Sequence, residues 1–130
     1  MIVVDASVVS AALTNNRGGI WARDILEQED LRAPHHLYVE VAHSLRRAAL
    51  TGALSVDRAT RAHEDLLEFR FTLHPYEPLA QRVWELRQNV TPYDAWYVAL
   101  AEALGVGLAT LDRRLATAVG PRCSFVTPPQ

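Results

Sequence analysis

The chain has 130 residues, of which 49% are hydrophobic and 22% charged, and its formal net charge is −2. This length predicts one domain over residues 1–130, and this composition excludes an intrinsically disordered chain. A net charge so close to zero excludes a nucleic-acid binder that relies on bulk positive charge, so any contact with phosphate must be local.

The sequence has no feature typical of export or of a membrane span. The apolar run at residues 2–5 has no basic region before it, so we expect a core strand and no signal peptide. The longest apolar stretch, residues 96–111, is interrupted by Glu102 and Gly105, whereas a membrane span needs about 20 apolar residues. Cys123 is the only cysteine and cannot form an internal disulfide, so a cytoplasmic location is expected.

Short β-rich runs alternate with helical patterns along the chain. The runs lie at residues 2–5, 31–33, 71–74, 106–111 and 124–127. The helical patterns cover residues 7–14, 19–28, 37–50, 56–69, 79–89, 92–104 and 112–119. Strands that alternate with helices pair in parallel and carry helices on both faces of the sheet. The sequence therefore predicts an α/β protein, a three-layer α/β/α sandwich with a mostly parallel central sheet.

Four acidic residues are candidates for a functional site. Asp5 and Asp112 each follow an apolar strand, and the functional crevice of a parallel sheet lies beyond the carboxyl ends of its strands. Asp94 lies in the first turn of the predicted 92–104 helix, and Glu40 lies beside the apolar stripe of another helix. Each also has a purely structural explanation, which is helix capping for the three aspartates and a solvated helix face for Glu40.

Carboxylates that cluster at one place need a positive partner. Like charges brought together raise one another's pKa until some of the acids stay protonated. A divalent cation keeps them ionised, and an all-oxygen ligand set predicts Mg²⁺ or Mn²⁺. The histidines show no spacing typical of a zinc site. His36 and His43 lie with Arg47 along the helix beside Glu40, and we interpret them as a solvated helix face.

The motifs around the four acids, taken in order, resemble those of the PIN-domain ribonucleases, and among them the VapC-type toxins of toxin–antitoxin pairs. The resemblance covers essentially the whole chain, and the four motifs are far more specific together than singly. They are VVDASV at residues 3–8, EVA at 40–42, TPYDAWYVALA at 91–101 and LATLDRRL at 108–115.

The resemblance implies a site, an activity and partners. Asp5, Glu40, Asp94 and Asp112 would form the acidic site, with Asp5 and Asp94 as the direct metal ligands and Thr110 as a hydroxyl that lines it. The implied activity is that of a Mg²⁺- or Mn²⁺-dependent endoribonuclease. The implied partners are an RNA substrate, a cognate VapB-type antitoxin and a second copy in a homodimer. Candidates for phosphate contacts, with none preferred, are Arg46, Arg47, Arg113 and Arg114.

Other interpretations are weaker but not all are excluded. Phosphoryl-accepting α/β proteins balance phosphate with a lysine, and the chain has no lysine and no GxxxxGK[ST] loop. A non-catalytic PIN-like module that binds RNA or protein stays open, although a scaffold has no need of four acids. Trp21, Trp84 and Tyr76 are expected in the core, with a dimer face or an antitoxin groove as the alternative.

Overall fold

A computed structural model describes all 130 residues and contains one five-stranded sheet. The order across the sheet is third, second, first, fourth and fifth strand in chain order, and every neighbouring pair is parallel. The first strand is therefore central, and its residues are all buried. The strands are β1 (Ile2–Val4), β2 (Leu31–Pro34), β3 (Phe71–His74), β4 (Leu108–Ala109) and β5 (Phe125–Val126).

Seven α-helices and one 3₁₀ turn at Glu77–Leu79 connect these strands. The helices are α1 (Ala6–Thr14), α2 (Gly19–Leu26), α3 (Leu37–Thr51), α4 (Val56–Leu66), α5 (Ala80–Glu85), α6 (Pro92–Leu104) and α7 (Arg113–Ala116). Helices α1 to α4 pack against one another, while α5 packs on α6, which lies against β1, β2 and β4. The predicted three-layer α/β/α sandwich is confirmed, and its sheet is parallel throughout.

Residues at the helix ends explain why most predicted boundaries are accurate. Helix α1 ends at Asn15, α3 at Gly52 and α6 at Gly105, each in the left-handed conformation that closes a helix. Helices α4 and α6 begin after Ser55 and Thr91, whose side chains accept a hydrogen bond from a backbone N–H of the first turn. These local contacts are readable in the sequence because they join residues only a few positions apart.

Helices α2 and α4 end two and three residues earlier than predicted, and two other predicted helices are much shorter in the structure. The 79–89 helix begins as a 3₁₀ turn and ends at Glu85, after which the N–H groups of Arg87 and Asn89 bond three residues back. The 112–119 helix is reduced to the single turn Arg113–Ala116. There the N–H of Thr117 still bonds four residues back to Arg113, but the N–H of Ala118 bonds three residues back to Leu115, so the chain leaves the α-helical pattern.

The core is one cluster of 30 buried hydrophobic residues. Trp21 packs against this cluster as predicted. Trp84 does not, because 63% of its surface is exposed, and Tyr76 is 39% exposed with one edge-to-face contact to Trp96 at 5.2 Å. The prediction of core packing is therefore wrong for Trp84 and for Tyr76. None of the helices combines the length and the apolar character needed to cross a bilayer.

Candidate metal centre

Asp5 lies at the carboxyl end of β1 and is only 5% exposed. Its Oδ1 accepts hydrogen bonds from the N–H groups of Ser7 at 3.0 Å and Val8 at 3.3 Å, and from the Ser7 hydroxyl. Its Oδ2 accepts a hydrogen bond from the hydroxyl of Thr110. Asp5 therefore caps α1, as the structural interpretation predicts, and is also held from a second strand.

The surroundings of Asp5 disfavour its charge despite these donors. Burial raises the pKa of Asp5 to about 6, while the hydrogen bonds from Ser7, Thr110 and Val8 lower it. The negative charge of Asp94 raises it further. The hydroxyl and N–H donors thus offset only part of the desolvation cost, and a carboxylate here would gain from a cation.

Thr110, the residue after β4, links Asp112 to Asp5: its hydroxyl contacts the backbone N–H of Asp112 and the carboxylate of Asp5. Thr110 is fully buried, donates to Asp5 and accepts from the N–H of Asp112 at 2.9 Å. Asp112 itself caps α7, since its Oδ1 accepts from the N–H groups of Arg114 at 3.0 Å and Leu115 at 3.3 Å. The carboxyl ends of β1 and β4, which are paired strands, thereby place these two acids at the same edge of the sheet.

Asp94 is half-buried in the first turn of α6, and its carboxylate accepts no hydrogen bond. Burial raises the pKa of Asp94 to about 6, and the charges of Asp112 and Glu40 raise it further. The N-terminus of α6 contributes favourable partial positive charge, but it cannot neutralise several acids. Of the four acids, only Asp94 combines like-charged neighbours that raise its pKa with a carboxylate that accepts no hydrogen bond.

Glu40 lies in the first turn of α3, with its side chain 26% exposed. Its Oε1 accepts from the Tyr97 hydroxyl at 2.7 Å and lies 3.1 Å from His36 Nε2. Burial and the charge of Glu40 raise the pKa of Tyr97 well above its ordinary value of about 10, so the phenol remains a donor. Glu40 is therefore fixed by contacts from two helices.

His36 corrects one prediction. Its side chain is only 15% exposed and stacks on Trp96 with ring centroids 4.5 Å apart and an interplanar angle of 13°. It is therefore not part of a solvated face, although His43 and Arg47 are exposed as expected. The tertiary contact with α6 determines this burial, because His36 lies just before α3 and reaches across to the first turns of α6.

Charge repulsion links Asp94 to each of the other three acids. Besides burial, the charge of Asp94 raises the pKa of Asp5, and the charges of Asp112 and Glu40 raise the pKa of Asp94. No three carboxylate, imidazole or thiol side chains stand in ready-made ligand geometry around one point. Asp5, Glu40 and Asp112 each turn an oxygen toward a hydrogen-bond donor of the protein. The side-chain atoms of the four acids that could bind a metal are all oxygens, and together they carry a surplus of negative charge. Such a set of ligands fits a hard divalent cation.

Comparison with known proteins identifies the family. The PIN domain family model matches residues 2–120. The chain belongs to the PIN-domain family. It is 45% identical to Ribonuclease VapC1 of Mycobacterium tuberculosis over 95% of this chain and 94% of that protein. It is also 40% identical to Ribonuclease VapC9 of the same species over the full length of both chains.

Solved structures share the PIN fold at lower sequence identity. PAE2754 from Pyrobaculum aerophilum aligns with a TM-score of 0.71 at 24% identity, covering 97% of this chain and 87% of that one. FitAcB from Neisseria gonorrhoeae aligns with a TM-score of 0.70 at 20% identity, covering 96% of each chain. These likenesses support the parallel α/β architecture described above.

The sequence of this PIN domain did not identify three residues that contact the acids of the site. Ser7 holds Asp5, and both Tyr97 and His36 hold Glu40. Ser7 follows Asp5 by two positions and His36 precedes Glu40 by four, so spacing could have indicated both. Tyr97 is 57 positions from Glu40, and no local pattern links them.

Proposed function

We propose that this PIN domain, spanning residues 1–130, is a divalent-metal-dependent endoribonuclease that acts as the toxin of a VapBC-type pair. The observation that carries the proposal is Asp94, a half-buried carboxylate with no hydrogen-bond donor, whose pKa is raised by burial and by the charges of Asp112 and Glu40. Identity of 40–45% to proteins named VapC ribonucleases supports the reaction class.

In this proposal each acid has a separate role. Asp5 and Asp94 are the direct ligands of Mg²⁺ or Mn²⁺, Asp112 completes the negative site, and Thr110 holds Asp5. The bound cation supplies positive charge that polarises the scissile phosphate and lowers the pKa of a water molecule. Glu40 orients the attacking water in line with the leaving oxygen and accepts its proton as the phosphodiester bond breaks.

The substrate path we propose runs over Arg113, which follows Asp112 in the chain, and over Arg17, which shares a cavity with Arg113. Arg17 and Arg113 line a cavity of about 550 Å³ together with Leu111, and neither arginine forms an ion pair with an acid of the protein. Both are exposed. Unpaired guanidinium groups next to an acidic site are suited to the phosphates that flank the scissile bond. Single-stranded RNA fits best, because its backbone is accessible.

We also propose the partners and the place of action. A VapB-type antitoxin that covers the site would keep the enzyme inactive, and a homodimer is the proposed assembly, as the resemblance to VapC toxins implies. Large apolar side chains such as Trp84 and Val119 are exposed and available for contacts with other chains. Cytoplasmic action agrees with the lone free thiol of Cys123.

The test is RNA cleavage by the purified protein with Mg²⁺ or Mn²⁺, with EDTA as the metal-free control. Asp94→Asn should lower cleavage by about 100-fold or more, because it removes a charged ligand of the cation. Asp57→Asn is the matched control, since Asp57 is an exposed acid in the first turn of α4. Cleavage by Asp94→Asn at the wild-type rate would refute the metal mechanism.

Calorimetric titration with Mn²⁺ separates the enzyme from a non-catalytic RNA- or protein-binding module. The wild-type protein should bind Mn²⁺, and Asp5→Asn and Asp94→Asn should each abolish most of that binding. A protein that binds RNA without cleaving it and shows no carboxylate-dependent Mn²⁺ binding would instead be such a module.

A further inference from the structure

Glu40 is held in an asymmetric way. Both of its partners, the Tyr97 hydroxyl at 2.7 Å and His36 Nε2 at 3.1 Å, contact the same oxygen, Oε1. The other oxygen, Oε2, accepts no hydrogen bond within the protein. Two contacts on one oxygen fix the rotation of the carboxylate and leave Oε2 available to whatever lies in the acidic site.

His36 is itself oriented for this contact. Its Nε2 lies 3.0 Å from the carbonyl oxygen of Tyr93 and 3.1 Å from Glu40 Oε1. Both neighbours are acceptors, so Nε2 must carry a hydrogen. The other ring nitrogen, Nδ1, is buried without a partner, and the ring stacks on Trp96. The Nε2 hydrogen bonds to the carbonyl of Tyr93, and together with the stacking this holds the same nitrogen within contact distance of Glu40 Oε1.

Both contacts of Glu40 depend on helix α6, which also carries Asp94. Tyr97 lies three positions after Asp94 in α6, so the two side chains share one face of that helix. Tyr97 is 1% exposed, which leaves its hydroxyl few alternatives to Glu40. Trp96, against which His36 stacks, comes from the same helix. Helix α6 thus sets the position of Glu40 relative to Asp94.

We propose that Tyr97 and His36 are positioning residues that hold Glu40 by Oε1, so that Oε2 alone orients the attacking water. This inference rests on the proposed nuclease function. It assigns Glu40 to the water and not to bidentate metal binding, since Oε1 already accepts the Tyr97 hydroxyl and contacts His36 Nε2. Loss of either contact should impair the chemical step and leave the binding of RNA and of Mn²⁺ intact.

The first test is Tyr97→Phe, which removes only the hydroxyl. We expect kcat to fall about 10- to 100-fold, the range for losing a hydrogen bond to a charged group. KM for RNA and the affinity for Mn²⁺ should stay unchanged, because Asp5 and Asp94 are intact. Tyr38→Phe is the matched control, because Tyr38 is in the same helix as Glu40 but packs against Phe71.

Two outcomes of this test would overturn the proposal. One is an unchanged kcat in Tyr97→Phe. The other is a lost activity that returns at saturating Mn²⁺, which would make Glu40 a metal ligand instead. Melting temperatures of both phenylalanine variants show whether the loss reflects folding.

The second test uses two substitutions of His36 that separate hydrogen bonding from packing. His36→Gln keeps an N–H donor but loses the aromatic ring, and His36→Phe keeps the ring stacked on Trp96 but loses the donor. We expect the glutamine variant to retain more activity than the phenylalanine variant. Equal activities or the reverse order would overturn the role of His36 as a donor, and this ranking remains decisive if Tyr97→Phe does not fold.

Failure of this inference is distinguishable from failure of the proposed function. A wild-type protein that does not cleave RNA with Mg²⁺ or Mn²⁺ would refute the nuclease itself. A wild-type protein that cleaves RNA, together with unaffected Tyr97 and His36 variants, would refute only the positioning of Glu40.

Discussion

At the scale of single residues, the aspartates Asp5 and Asp94 couple stability to pH. Each has a pKa raised to about 6 in the fold, mainly by burial, from an ordinary value of 3.8. Between these two values the folded protein holds more protons than the unfolded chain, so stability falls as pH rises through this window. Above it, the ionised acids destabilise the metal-free protein, and a bound cation would relieve that cost.

We therefore predict that Asp94→Asn stabilises the protein at neutral pH in EDTA. The melting temperature of the variant minus that of wild type should be near zero at pH 4, grow as pH rises to about 6 and stay positive above that. Each kcal/mol of relieved repulsion corresponds to roughly 4 °C. Added Mn²⁺ should raise the melting temperature of wild type far more than that of the variant. Thermal melts from pH 4 to 8 test this prediction, and Asp57→Asn is the control; a variant that melts like wild type throughout would contradict it.

At the scale of elements, α6 is the helix on which the site depends. Its first turn is capped by Thr91, whose hydroxyl accepts from the N–H of Asp94 at 3.3 Å, and Pro92 fits the first helical position. Six of its residues from Ala95 to Ala101 are buried, which fixes the helix against the sheet. The cap therefore positions the backbone of Asp94 directly, while the apolar face sets the depth at which its carboxylate lies.

The two serine or threonine caps provide a matched pair of variants. Thr91→Ala and Ser55→Ala should each lower the free energy of unfolding by about 1 kcal/mol, as cap removal usually does. Only Thr91→Ala should also reduce RNA cleavage, by roughly 10-fold, because it loosens the turn that carries Asp94. Urea unfolding and steady-state kinetics measure the two effects. Equal activities in the two variants would show that the cap does not position Asp94.

At the scale of the whole molecule, the acids at the two ends of α6 differ in whether a positive charge neutralises them. Asp94 at its start faces other acids, whereas Glu102 near its end is neutralised by Arg82, with Nε 2.7 Å from Oε1. Arg82 also donates to the carbonyl of Gly120 at 2.9 Å, and the N–H of Arg122 donates to Glu102 at 2.7 Å. This network joins α5, α6 and the segment before β5. The end with paired charges stabilises the fold, while the end with unpaired acids forms the candidate site.

Glu102→Gln should destabilise the protein without changing cleavage. Although burial raises the pKa of Glu102, hydrogen bonds from Arg82 and Arg122 lower it below its usual value. A lowered pKa means that the stabilisation is present above the ordinary carboxyl value and lost as pH falls through the folded value. We expect a loss of about 1–3 kcal/mol at pH 7 that disappears in acid. Urea unfolding at several pH values tests this, and a difference that persists below pH 3 would contradict it.

Substrate binding should depend on local positive charge. Arg113→Ala and Arg17→Ala should each weaken RNA binding and reduce the slope of log affinity against log salt by about 0.7, the value for one phosphate contact on a single strand. Binding is measured by fluorescence anisotropy in EDTA, so that the RNA stays intact. Arg61→Ala is the control, since Arg61 is exposed on the remote helix α4. A control variant that weakens binding equally would mean that RNA contacts no defined arginine pair.

Most of the fold was predictable because its signals are local. The five strands, the ends of α1, α3 and α6 and the caps at Ser55 and Thr91 each depend on a few neighbouring residues. The lengths of α5 and α7 were not, since backbone hydrogen bonds after Glu85 and after Thr117 shift to partners three residues back. The exposure of Trp84 was also missed, because burial depends on which elements pack over a side chain.

The sequence by itself determined the order of the strands and helices along the chain, and which acids follow the ends of strands. It also carries the motifs that define the PIN-domain family. Only the tertiary structure decided that Tyr97 and His36 share one oxygen of Glu40, and that Asp94 is left without a donor. The physical reason is that capping and periodicity act over a few residues, whereas desolvation and charge repulsion depend on distances between segments far apart in the chain.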